Sequence, residues 1–93
     1  MKKHISKETL SGFFEELGEK EDLELLTSKK LLAHRIEKSM TRQGFSKSAL
    51  AVAMSTSRTV VHRLLDPTDT SVTLATLSKA SKALGIPLFK VLR

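Results

Sequence analysis

Cysteine is absent from this 93-residue chain, which removes both a disulfide framework and any thiolate metal site. That absence is compatible with a reducing cytosol, and we read the protein as cytoplasmic. Tryptophan and tyrosine are absent too, and the four phenylalanines stand at positions 13, 14, 45 and 89 rather than alternating along a strand. This argues against RNA recognition by base stacking on a sheet. The four glycines are too few and too widely scattered for a phosphate-cradling loop. The longest apolar run is Ala49 to Met54, far short of the ~20 residues a bilayer span needs. The basic start MKKHIS leads into polar SKETLSG, without the apolar stretch of a secretory signal. No membrane partner is expected.

Catalytic and metal-binding patterns are equally scarce. The histidines, His4, His34 and His62, form no close-spaced pair, so neither a metal site nor a cofactor is expected. Serines are abundant, yet no G-x-S-x-G elbow or triad order accompanies them. They read as helix caps and phosphate contacts, and no enzyme activity is expected.

Charge is present in excess and unevenly. Residues 1–28 hold four lysines against seven acids, a net of −3, whereas residues 29–93 hold twelve basic residues against three acids, a net of +9. Clustered positive charge attracts nucleic acid by releasing its counterions.

Helical signals fill the chain. Ser6 caps a first helix through Leu17, with Leu10, Phe13, Phe14 and Leu17 at helical spacing and Gly18 at its end. Glu19 to Leu26 reads as a short acidic helix or loop. Ser28 caps a longer helix to about Arg42, with Leu32, Ile36 and Met40 on its inner face and Gly44 beyond it. Asp66-Pro67 then breaks the chain, since a residue before proline disfavours helix. Thr73 caps a helix whose inner stripe is Leu74, Leu77, Ser81 and Leu84, with Lys79 and Lys82 outward and Gly85 closing it. Pro87 opens a last apolar helix, PLFKVLR. No period-2 alternation marks a strand.

The most telling stretch is SKSALAVAMSTSRTVVHRLL, residues 46–65. Ser46 can cap one short helix and Ser57 a second, with only a tight polar turn between them. At 100° per residue, Arg58, Thr59, His62 and Arg63 share one side of the second helix, and Val60, Val61, Leu64 and Leu65 share the other. One half is built for burial. The other carries the donors and charge that meet phosphates and base edges. In the first helix Leu50, Ala51 and Met54 form the inner face, and small Ala51 admits a close helix crossing.

This unit resembles the helix-turn-helix of the lambda-repressor/Cro type, also called the XRE family. The family places a small Ala at the fifth position, a turn residue at the ninth and apolar residues at the fifteenth and eighteenth; counted from Lys47 these are Ala51, Ser55, Val61 and Leu64. The likeness continues through LLDPTDTSVTLATLSKASKALGIPL and covers about residues 28–93. Two positions depart from the pattern. Ser55 stands where the family favours glycine and must accept a left-handed backbone at some cost. Lys47 stands where many members carry Gln, making the phosphate contact there ionic.

The resemblance implies an all-α, five-helix lambda-repressor-like DNA-binding domain at residues 28–93, behind an N-terminal acidic helical arm at residues 1–27. It further implies a sequence-specific regulator of double-stranded DNA, a repressor, acting as a homodimer on half-sites roughly 34 Å apart. The DNA-contacting residues would be Lys47, Ser57, Arg58, Thr59, His62 and Arg63, with Arg58 or Arg63 reading guanine. Val60 is placed either against a thymine methyl or against the protein. Lys79 and Lys82 are read as solvated. Small members with a helical extension resemble antitoxins of the HigA type, which bind an RNase toxin and repress their own operon. The segment Ser6 to Leu26 would then dock on a basic toxin, or Phe13 and Phe14 would pack on the domain or its dimer mate. The competing class is a protein-interaction module of the same fold that binds no DNA.

Overall fold

In a computed structural model the structure describes residues 9–12 and 22–88, and the chain is an all-α protein. Four helices are named among the described residues: α1 (Asp22–Gln43), α2 (Lys47–Ala53), α3 (Arg58–Leu65) and α4 (Leu74–Leu84).

The longest, α1, starts earlier than Ser28. Residues 27 and 28 lie inside it, and Ser28 caps nothing. Residues 22–26 of the stretch read as acidic helix or loop belong to α1, and residues 19–21 lie outside the described residues. Leu32, Ile36 and Met40 face the core as the spacing predicted, with Ala33 beside them. The helix stops at Gly44, left-handed at φ 76°. Phe45 N donates to Met40 O at 2.9 Å and Gly44 N to Thr41 O at 3.3 Å, the double closure typical of a glycine-terminated helix.

The other ends follow their sequence signals. Ser46, Ser57 and Thr73 are extended N-caps whose hydroxyls accept from Ala49 N, Val60 N and Thr76 N. Gly85, at φ 69°, closes α4. One expectation for α4 is corrected: Leu77, Ala80 and Leu84 form its buried stripe, whereas Ser81 and Leu74 are half-buried. The Ser81 hydroxyl instead donates to Ile86 O, tying down the turn past Gly85.

The core gathers Leu32, Ile36 and Met40 from α1, Leu50 and Ala51 from α2, Val61 and Leu64 from α3, and Leu77, Ala80 and Leu84 from α4. Leu10 belongs to it too and is fully buried. Its segment pairs with the loop before α4, Leu10 N donating to Val72 O at 2.9 Å and Ser11 N to Thr70 O at 3.1 Å. Thr9, bridged to Thr73, caps the turn that follows by accepting from Gly12 N at 3.0 Å. Among the described residues helix begins after Thr9, whose hydroxyl meets an orphan amide, while Ser6 and Leu17, the expected ends of this helix, lie outside them. Phe13, Phe14 and the terminal residues 89–93 of PLFKVLR lie outside the described residues.

Candidate nucleic-acid interface

Two short helices and their turn build the surface. Leu50, Ala51 and Met54 anchor α2, and the chain reverses through Ser55, whose φ of 56° is the left-handed conformation expected there. Thr56 N donates to Ala51 O at 2.9 Å and Ser55 N to Val52 O at 3.0 Å, so this serine fills the position that glycine fills after α1. The closure fixes how α3 leaves α2. Among the described residues it is the one non-glycine with positive φ.

Along α3 the division of labour matches the helical period. Val61 and Leu64 are completely buried, while Arg58, Thr59, His62 and Arg63 are exposed. Val60 and Leu65 are half-buried at the margins, which refines the even split read from the sequence. Ser57 is exposed, with its hydroxyl oxygen occupied as acceptor of Val60 N at 3.2 Å. Lys47 opens α2 and is exposed, beside the Ser46 cap. No acidic residue stands in the first turn of α2 or α3. The helix N-termini and the cations of α3 thus present one sign of charge.

Acid follows at the far end of α3, beginning with its C-cap Asp66. Asp66 accepts from Thr68 N at 2.9 Å and from the Thr68 hydroxyl at 2.8 Å, and Asp69 does the same with Ser71 at 2.9 and 2.6 Å. Thr68's amide and hydroxyl hold the Asp66 carboxyl below its usual pKa; for Asp69 the Ser71 hydroxyl is the main cause. Arg63 and Lys29 also act on Asp69, so the positive charge of Arg63 is partly balanced on this side.

One residue of the site escaped sequence reasoning. Lys29, on α1, is fully buried, and its ammonium donates to Arg63 O at 3.3 Å, to Leu64 O at 3.0 Å and to Asp66 O. Arg63 and Leu64 carbonyls belong to the last turn of α3, where few main-chain donors remain; Arg63 O also accepts from Asp66 N at 3.2 Å. Burial pushes the Lys29 pKa down, opposed by Asp69 and then Asp66. The signal was present: 29 continues the inner stripe 32, 36, 40 one turn towards the N-terminus. A lysine at such a position reads by default as solvated.

A second cationic surface, outside the predicted set, lies in a shallow cleft lined by Arg35, Lys38, Ser39, Arg42 and Ile86. On the α1 wheel these cations lie more than a quarter-turn from Lys29, away from the side that holds α3. Among the described residues no group of three or more His, Cys, Asp or Glu gathers as a metal site, and no helix is long and apolar enough to cross a membrane.

The fold and this surface define an all-α protein whose α3 exposes Arg58, Thr59, His62 and Arg63 while Val61 and Leu64 are buried behind them. No protein-family model matches the chain, and no curated protein or solved structure matches it.

Proposed function

We propose that this protein binds double-stranded DNA with sequence preference, laying α3 in the major groove, and acts as a transcriptional regulator. The observation that carries this reading is the division of α3: Arg58, Thr59, His62 and Arg63 exposed together, with Val61 and Leu64 fully buried behind them. A groove-reading helix needs that arrangement, since base edges are met by side chains on one face while the other face fixes its position. Arg58 or Arg63 supplies the bidentate donor pair that suits guanine, Thr59 and His62 supply shorter polar contacts, and Lys47 and Ser57 stand at helix starts beside the phosphate path. The likeness of residues 47–64 to the lambda-repressor/Cro unit supports the same reading, with repression by a homodimer as its extension.

Selection of bound sequences from a random duplex pool tests it. The wild type is expected to enrich a defined motif, and Arg63→Ala to weaken binding and change base preference at one position. Enrichment of no motif would favour a protein-interaction module instead. A toxin-binding role for the acidic N-terminal arm is a proposal within this class. The burial of Leu10 supports a structural role for at least residues 9–12 of that arm.

A further inference from the structure

Lys29 is completely buried, and its ammonium carries three N–H donors. Three backbone carbonyls receive them: Arg63 and Leu64 in the last turn of α3, and Asp66 in the residue that ends it. The donor count matches the acceptor count only while the group is charged. A cation at this end of a helix also meets the negative pole of the helix dipole. Asp66 and Asp69 supply counter-charge nearby, each held in place by its own turn through Thr68 or Ser71.

The partners of Lys29 are main-chain atoms of the cationic helix, not its side chains. That helix has eight residues. Its start is fixed by the Ser57 cap and the left-handed turn at Ser55; its end is fixed by Lys29. A two-turn helix pinned at both ends has a set rotation about its axis, and rotation decides which side chains meet base edges. Tolerance for such contacts is about 0.5 Å.

We infer that Lys29 is a positioning residue for base discrimination: it sets the rotation and depth of α3 without touching DNA, so specific and non-specific binding respond to it differently. This rests on the DNA-binding reading. Because the Lys29 charge is buried, it displaces no counterions from a duplex, and its removal leaves the electrostatic part of binding alone. Loss of the clamp instead blurs the geometry on which base contacts depend.

The test compares wild type with Lys29→Met on two probes, a random-sequence duplex and the duplex most enriched by the wild type, each across a salt series. The expected result is random-duplex affinity within about two-fold and an unchanged salt slope, with the selected-to-random ratio falling about ten-fold or more. An unchanged ratio overturns the inference. So does a slope shallower by about 0.9, which would make Lys29 a phosphate contact. If the wild type binds no duplex, the functional reading fails, and Lys29 is judged by amide exchange alone. Faster exchange at Leu64, Leu65 and Asp66, with Leu50 to Ala53 unaltered, then upholds its positioning role; uniform acceleration or no change defeats it. Should Lys29→Met not fold, Lys29→Arg carries the same comparison, since it keeps the charge but spreads its donors over a planar fork. Its selected-to-random ratio is expected to fall as well, and a wild-type ratio would overturn the inference.

Discussion

Arg63 and Leu64 are neighbours on α3 with opposite surroundings, so truncating each to alanine separates packing from recognition. Leu64 is completely buried within the core. Removing three carbons forfeits roughly 2.4 kcal/mol of transfer free energy at about 0.8 kcal/mol per carbon. The residual cavity adds to that, giving about 3–5 kcal/mol for Leu64→Ala. A chain of this size has a total stability of roughly 5–14 kcal/mol. With a urea slope of about 1–1.5 kcal/mol/M, the midpoint followed by circular dichroism should fall by about 2–5 M. Arg63 is exposed, and its carbonyl, the atom that Lys29 holds, survives truncation. Arg63→Ala should therefore shift stability by no more than about 0.5 kcal/mol. On a selected duplex it should cost about 1–3 kcal/mol of binding if it reads guanine. A Leu64→Ala cost below about 1 kcal/mol, or an Arg63→Ala cost matching it, would refute the assignment of the two faces.

Three further outcomes follow from local geometry. Ser55 sits at a φ of 56°, where a side chain costs about 1–2 kcal/mol, partly offset by the flexibility glycine adds to the unfolded chain; Ser55→Gly should stabilise by about 0.5–1 kcal/mol in urea melts. Leu10→Ala should destabilise by about 2–5 kcal/mol, because this arm residue lies within the core, and a wild-type melt would show that the arm does not pack there. Asp66 and Asp69 are held below the usual 3.8, so the unfolded state binds protons first; their stabilisation is complete above that value and is lost as pH falls through the lower folded values. An Asp66→Asn, Asp69→Asn double variant should be weaker than wild type at neutral pH and converge with it in strong acid, and parallel pH profiles would contradict this.

What the sequence disclosed was mostly local. Ser46, Ser57 and Thr73 cap because a short hydroxyl meets an orphan amide two or three residues on, and Gly44 and Gly85 terminate because they accept a left-handed backbone. The left-handed turn at Ser55 was placed instead by the resemblance, whose spacing counted from Lys47 puts the turn residue there. The faces of α3 were readable because two turns of strict period leave little ambiguity, and only the marginal Val60 and Leu65 departed. The start of α1 was misread because Ser28 has a cap's chemistry but sits inside a helix already begun at Asp22. Leu10 and Lys29 depend on contacts with Val72 and with the end of α3, dozens of residues away, and no local pattern encodes such partners. Ala80 replaced Ser81 in the core stripe because the serine hydroxyl found an acceptor at Ile86.

The most direct test of DNA recognition by α3 is a fluorescence anisotropy titration of a random-sequence duplex at a series of salt concentrations, for wild type and for Arg58→Ala with Arg63→Ala. Wild type should bind at low salt, with log affinity falling linearly in log salt, and the double variant should lose up to about 0.9 of slope for each arginine that meets a phosphate. No measurable binding by the wild type at low salt, or a double variant with wild-type affinity and slope, would contradict the reading of α3 as the DNA-facing helix.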